Sequence, residues 1–200
     1  MKKIMKKSIT RMEQRKLNSD FTFDTEGRTV EGMAVVFDSP SEDLGWTEVI
    51  HRGAITNETI EKSDVFAKFN HQDDKVLARS KNGKGSLLLE VDDNGLRYMF
   101  EAPKTATGDE LLEYLQRGDI SSSSFAFSIN RKDADAEKWY KKDGKIYRDI
   151  YKIEQLYDVS PVFQPAYEAT SCSKRFAEVK AKSEEIDAKM NVLAEEINNL

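Results

Sequence analysis

The chain has one cysteine, two histidines and four prolines among 200 residues. A lone Cys172 excludes an intramolecular disulfide framework and any cysteine-rich zinc site, and it reads as a free thiol with no special role. Two histidines, distant from that cysteine, supply too few ligands for a transition-metal centre. No apolar run is long enough to span a membrane. The opening stretch MKKIMKKSITRMEQRK is basic, but no apolar segment follows as a secretion signal requires. A P-loop and a dinucleotide fingerprint are both missing, because GKGS lacks their spacing and context. EVDDNGLRYMFE gathers acids before a glycine without completing a calcium loop. These absences leave a soluble, cytosolic protein needing no cofactor.

Charge is plentiful and unevenly placed. The formal net charge is −5. Residues 1–16 hold seven Lys/Arg against one Glu, and residues 176–200 hold six acids against three Lys. The long middle is therefore acidic, which argues against nucleic acid as a partner.

Three regions follow from composition and periodicity. Residues 1–19 read as a basic, mobile arm without apolar period. Residues 20–175 carry many short strand patterns and two helical ones. TVEGMAVVF reads as a strand in a hairpin with the stretch around Phe21 and Phe23. SLLLEV, the turn Asp93-Asn94-Gly95 and LRYMF form the strongest hairpin signal. TATGDELLEYLQRGD is an amphipathic helix with Leu111, Leu112 and Leu115 on one face and Gly118 as its stop. A shorter helical stretch follows Thr56 or Asn57 as N-cap, and a last strand is expected to end at Pro161. This pattern predicts an α+β fold, mostly an antiparallel β-barrel with surrounding helices. In residues 176–200, Val179, Ile186, Met190, Leu193, Ile197 and Leu200 recur at helical spacing. That is an amphipathic helix suited to self-association or to packing on the body.

One stretch concentrates the chemistry. RGDISSSSFAFSIN sets four serines before an alternation of Phe125, Phe127 and Ile129 with Ala126, Ser128 and Asn130. Alternation at period two is a half-buried strand, so the serines are expected where a turn meets it. There they serve as caps or as a nucleophile. A serine nucleophile needs a base, and only His51 and His71 are available. Both lie near strand ends, and either is also an ordinary structural histidine.

Four segments in order resemble the tailed-phage prohead maturation protease family. They are GMAVVFDSPSEDLGWTEVIHRGAI, VFAKFNHQDDKVLARS, LLEYLQRGDISSSSFAFSI and LYDVSPVFQPAYEATS. The resemblance spans roughly residues 28–175. It implies a serine endopeptidase with the barrel fold of the herpesvirus assembly protease. It also implies substrates among scaffold, the scaffold-like region of the major capsid protein, and the enzyme itself, inside the procapsid in the host cytoplasm. Carried over by motif, His71 becomes the general base and Ser124 the nucleophile, with Ser123 as the register alternative. Asp158 takes the third position, with Glu154 and His51 as alternatives. Arg79 supports the oxyanion region or the loop after His71, or forms a surface salt bridge. Two other readings stay open: a capsid- or scaffold-binding module that keeps the fold without activity, and a hydrolase of small esters.

Overall fold

Alternating burial explains most strands directly. A computed structural model describes residues 12–18, 22–23 and 27–163, and structural statements below concern these. In β9 (Gly95–Glu101), Leu96, Tyr98 and Phe100 are buried while Arg97, Met99 and Glu101 face outward. Its hairpin partner β8 (Leu87–Val91) pairs Leu87 with Phe100 and Leu89 with Tyr98. The turn is tied by Asp92, whose Oδ1 accepts from the N–H groups of Asn94 and Gly95 at 2.6 and 3.0 Å. On its other side β9 pairs with β3 (Thr29–Val36), which carries a bulge between Met33 and Val35. There a Cβ on Gly95 would lie 1.8 Å from the Val35 carbonyl oxygen, so only glycine fits. With β2 (Thr22–Phe23), these strands form a four-stranded antiparallel sheet ordered β2-β3-β9-β8.

The sheet that carries the site has six strands in the order β1-β10-β13-β5-β6-β7. They are β1 (Glu13–Asn18), β10 (Ile120–Ser128), β13 (Gln155–Phe163), β5 (Asp64–Lys68), β6 (Val76–Lys81) and β7 (Lys84–Gly85). All pairings are antiparallel except β13 with β5. β3 lies against β1, β10 and β13, and β6 lies against β8 and β9, so the two sheets share one core. Phe69, Tyr98, Leu111, Phe127 and Leu156 are among its fully buried members. Each such side chain contributes about 1.5–3 kcal/mol by leaving water. A third sheet, β11-β12-β4, joins the Asp143-Gly144 hairpin of β11 (Glu137–Lys142) and β12 (Lys145–Ile150) to β4 (Thr47–Ile50). β4 runs parallel to β12. Cα packing sets Asp43–Gly45 apart from the body that holds these three sheets.

Two α-helices are present among the described residues, beside a 3-10 turn at Phe69–His71. α1 (Asn57–Lys62) begins with a capping box between Thr56 and Thr59. α2 (Ala106–Arg117) is capped by Thr105 and ends at Gly118, whose φ of 76° is the left-handed stop. Leu111 and Leu115 face the core and α2 packs on β10. Among the described residues, no helix is long and apolar enough to cross a membrane.

Four expectations change. The described strands make three open sheets rather than a closed barrel. The six-stranded sheet ends on β1 at one side and on the two-residue β7 at the other. Closure requires those edges to pair, and they do not. The arm expected to be mobile contains a strand, since Glu13–Asn18 pairs with β10 from Glu13↔Phe127 to Asn18↔Ser122. Backbone pairing and ion pairs hold β1, and neither leaves an apolar period in the sequence. All four serines lie inside β10 rather than at its mouth. The last strand also runs through Pro161 to Phe163. β5 pairs only with Asp158 and Val159, so at Pro161 β13 has β10 beside it but no longer β5. The segment 176–200 and its expected helix lie outside the described residues.

Candidate active site

β10 sets the register of the site. Ser124 and Ala126 project to one face of the strand, and Ser123, Phe125 and Phe127 to the other. Phe127 and Phe125 are buried and stack at 5.1 Å between ring centroids. They fix the strand, and so aim Ser124. Across the ladder, Ser124 faces Ser160 and Ala126 faces Asp158 on β13. Ser124, Ser160 and Asp158 therefore share one face.

His71 reaches that face from a tight turn. β5 delivers the chain to Phe69, which is 2% exposed and acts as the anchor. Asn70 and His71 then both adopt left-handed backbone, with φ of 52° and 60°. Asparagine tolerates this region. For histidine the conformation costs about 1–2 kcal/mol. Three backbone bonds hold the loop shut: Phe69 N–H to Lys75 O, Gln72 N–H to Phe69 O, and Lys75 N–H to Gln72 O, at 2.9–3.1 Å. This left-handed histidine lies beside the buried Ser124.

The imidazole lies between Ser124 and Asp158. Nε2 is 2.6 Å from Ser124 Oγ, and Nδ1 is 2.8 Å from Asp158 Oδ1. The second contact is close enough for a hydrogen bond, but the N–H is not directed at the oxygen, so it acts as an electrostatic contact in this arrangement. Asp158 is 1% exposed and His71 is 19% exposed, which leaves the ring as the open edge of the site. Ser160 Oγ donates to the same Asp158 oxygen at 2.9 Å and helps orient the carboxylate. Ser124 Oγ has a second neighbour, the backbone carbonyl of Arg15 on β1, to which it donates at 2.6 Å. One hydroxyl proton thus has two acceptors within reach.

The other candidates have different partners. Ser123 Oγ meets the Tyr98 hydroxyl at 2.8 Å on the core side of β10. Burial pushes the Tyr98 phenol well above its usual value, although the Ser123 bond works against that rise. His51 stacks on Tyr151, with centroids 4.7 Å apart, and lies between Asp38 and Asp149. Glu154 is exposed, and its N–H bonds the Ser128 carbonyl. Arg79 makes a bidentate pair with Asp64 at 2.7 and 2.5 Å and lies over the Phe66 ring. Its hydrogen bond with Asp64 raises its pKa above the ordinary guanidinium value.

The family model for caudovirus prohead serine proteases matches residues 12–185. The chain belongs to this family. A search of curated proteins finds no match. Among solved structures, the bacteriophage T4 capsid assembly protease is similar at 11% identity and a TM-score of 0.46. That match covers 78% of this chain and 99% of the other.

Two features of this prohead protease family member escape sequence reasoning. Ser160 had a faint signal, since it lies two residues from Asp158 on a strand and must share its face. The buried ion network beside β1 had none. Arg15 Nε and Nη2 bond the two Glu48 carboxylate oxygens at 2.5 and 2.8 Å. Arg148, 3% exposed, contacts Glu13, Glu48 and Glu137. Burial works against its charge, but the hydrogen bond it donates to Glu13 and the charges of Glu48, Glu13 and Glu137 hold it above the ordinary guanidinium value. Burial alone would raise Glu13. Its hydrogen bond and attraction to Arg148, with help from Arg15, bring it down to about 2.

Two predictions arise here. Ser123→Ala leaves a buried phenol without its partner and is expected to cost about 1–3 kcal/mol. Denaturant titration measures this cost, and labelling of Ser124 by a fluorophosphonate should persist. Labelling lost in Ser123→Ala but kept in Ser124→Ala would move the nucleophile to Ser123. The second concerns pH. A carboxyl with a depressed folded pKa contributes stability that is complete above its unfolded value. For Glu13 the contribution is lost as pH falls from about 4.5 toward about 2. Protection factors of β1 amides, corrected for the intrinsic exchange rate, should fall over that interval in wild type and show a flatter profile in Glu13→Gln.

Proposed function

We propose that this protein is a maturation endopeptidase acting by an acyl-enzyme mechanism, with Ser124 as nucleophile, His71 as base and Asp158 as its orienting acid. The single observation that carries the reading is the continuous contact Oγ–Nε2 and Nδ1–Oδ1 at 2.6 and 2.8 Å. His71 Nε2 takes the hydroxyl proton as Ser124 attacks a peptide carbonyl. The same nitrogen then protonates the leaving amine. Asp158 stabilises the imidazolium formed in between, and its burial beside Nδ1 makes that interaction strong. Water resolves the ester by the reverse sequence. None of these steps calls for a cofactor.

Family membership supports capsid-assembly proteins as substrates: scaffold, or the scaffold-like region of the major capsid protein. Work inside the procapsid follows from such substrates. The acidic segment 176–200 would pair with scaffold or with a second copy. Coexpression with the cognate capsid protein, read by intact mass beside Ser124→Ala and His71→Ala, tests the proposal. Discrete truncations lost in both variants support the protease. Uncut masses with retained co-purification would instead favour a binding module without activity. Turnover of small esters alone would favour the third reading.

A further inference from the structure

β1 lies where a bound peptide would lie. It is the edge strand next to the strand that bears Ser124, and it enters by backbone pairing, which is how proteases and many receptors hold extended peptides. Its Arg15 carbonyl accepts the Ser124 hydroxyl at 2.6 Å. The register also sets Arg15 opposite Phe125. In an antiparallel ladder, a carbonyl facing its neighbour is served by the N–H of the residue opposite. The same oxygen thus lies at the nucleophile and beside the N–H of the residue that follows it, a combination suited to holding an oxyanion.

The side chains of β1 occupy a built pocket on the opposite face. Arg15 is 12% exposed and makes its forked contact with Glu48, itself 2% exposed. The guanidinium lies 5.8 Å from the Trp46 ring and 5.4 Å from the Phe127 ring. Two residues earlier, Glu13 turns to the same face and pairs with Arg148. Without β1, the pocket retains Glu48 and Glu137 against Arg148. The net charge of the cluster is the same with or without β1, but Glu48 then lacks its forked Arg15 partner and Arg148 lacks Glu13. Burying these groups is costly unless an occupant supplies the missing charges.

We infer that β1 is an internal substrate strand, that Glu48 selects a basic residue on the acyl side of the cut bond, and that Arg148 selects an acid two residues before it. The inference rests on Ser124 being the nucleophile. The bond presented is Arg15–Lys16. In the resting arrangement the hydroxyl bonds the carbonyl oxygen, so reaction requires Oγ to turn toward the carbon. The Oγ–C bond then forms as the Ser124 proton passes to His71. The C–N bond to Lys16 breaks as that proton moves to the departing nitrogen. Water hydrolyses the ester, which leaves a carboxylate on Arg15 and restores the Ser124 hydroxyl. Other substrates present the pattern acid, any residue, Arg.

The test uses the full chain. Intact mass and amino-terminal sequencing are followed over time in wild type, Ser124→Ala, Arg15→Lys and Arg15→Ala, with fluorophosphonate labelling of Ser124 alongside. Wild type is expected to yield a new amino terminus at Lys16, and Ser124→Ala none. Arg15→Lys should slow the cut about tenfold, because an ammonium cannot make the fork. Arg15→Ala should slow it about 100-fold or more, because Glu48 loses its forked partner and keeps only its contact with Arg148. In a parallel arm, wild type receives an equal mixture of two peptides, one spanning the β1 sequence through Lys16 and the other with Ala in place of Arg15. The arginine peptide should be consumed at least about 100-fold faster. This arm does not depend on any variant folding. If Ser124 is labelled while Arg15–Lys16 stays intact, or while the two peptides disappear equally, the pocket assignment falls and the nucleophile stands. If Ser124 is neither labelled nor needed for any cut, both fall.

Discussion

Ser124→Ala is expected to lower capsid-protein cleavage by on the order of 10⁵–10⁶, and His71→Ala by a similar factor. The two losses should not add. Once either member is gone, the other has no partner for proton transfer, so the double variant should be no slower than the worse single one. Asp158→Asn should cost less, on the order of 10⁴. Its amide still fills the buried place between Ser160 and His71, but it cannot favour the imidazole tautomer that leaves Nε2 free to accept. Single-turnover cleavage of purified capsid protein measures all four. The distinguishing outcome is the pattern across variants. If Asp158→Asn were as damaging as Ser124→Ala, the carboxylate would have a larger role than orienting the base. If His71→Ala retained the wild-type rate, the whole proton path would be wrong.

Arg148→Ala is expected to be the most destabilising single substitution in the ion network, at about 3–5 kcal/mol. The side chain is 3% exposed and lies among three carboxylates, of which Glu48 is 2% exposed. Removing the cation leaves those charges facing one another in a low dielectric, with Arg15 as the remaining cation. Arg148 also joins distant parts of the chain. Glu13 comes from β1, Glu48 from β4 and Glu137 from β11. Its loss should therefore loosen the junction between the six-stranded and three-stranded sheets. Denaturant titration should show a lower midpoint with an unchanged slope. Replacing Arg148 and Glu48 together with apolar side chains of similar volume should recover much of the loss, because desolvation then no longer opposes folding. A cost below about 1 kcal/mol for Arg148→Ala would mean that water enters the network and screens it.

Much of the site was legible because its geometry follows local rules. Period-two alternation along Ser124–Ile129 assigns Ser124 and the phenylalanines to opposite faces of a strand, and β10 keeps that division. The position of His71 between a strand and a polar loop was equally readable from FAKFNHQDD. The order of motifs pointed to the family, and the family match over residues 12–185 agrees. Asp158 against Glu154 and His51 was different. All three lie at strand ends or on strands, and only the pairing of β10 with β13 and of β13 with β5 brings one of them beside His71. The expected barrel failed for a related reason. Alternation along each strand says which face is apolar, but closure depends on whether the outermost strands meet.

The sequence by itself determined the strand-rich class, the hairpin at Asp93-Asn94-Gly95, the two capped helices, and the pairing of a serine run with a scarce histidine. These depend on residues within a few positions of one another, where backbone preference and side-chain period act directly. Only the tertiary structure decided which acid stands behind His71, that β1 lies across Ser124, and that Arg15, Glu48 and Arg148 share a buried pocket. Those contacts join residues from 33 to 109 positions apart. They arise from strand order and charge compensation, which no local pattern of apolar residues encodes.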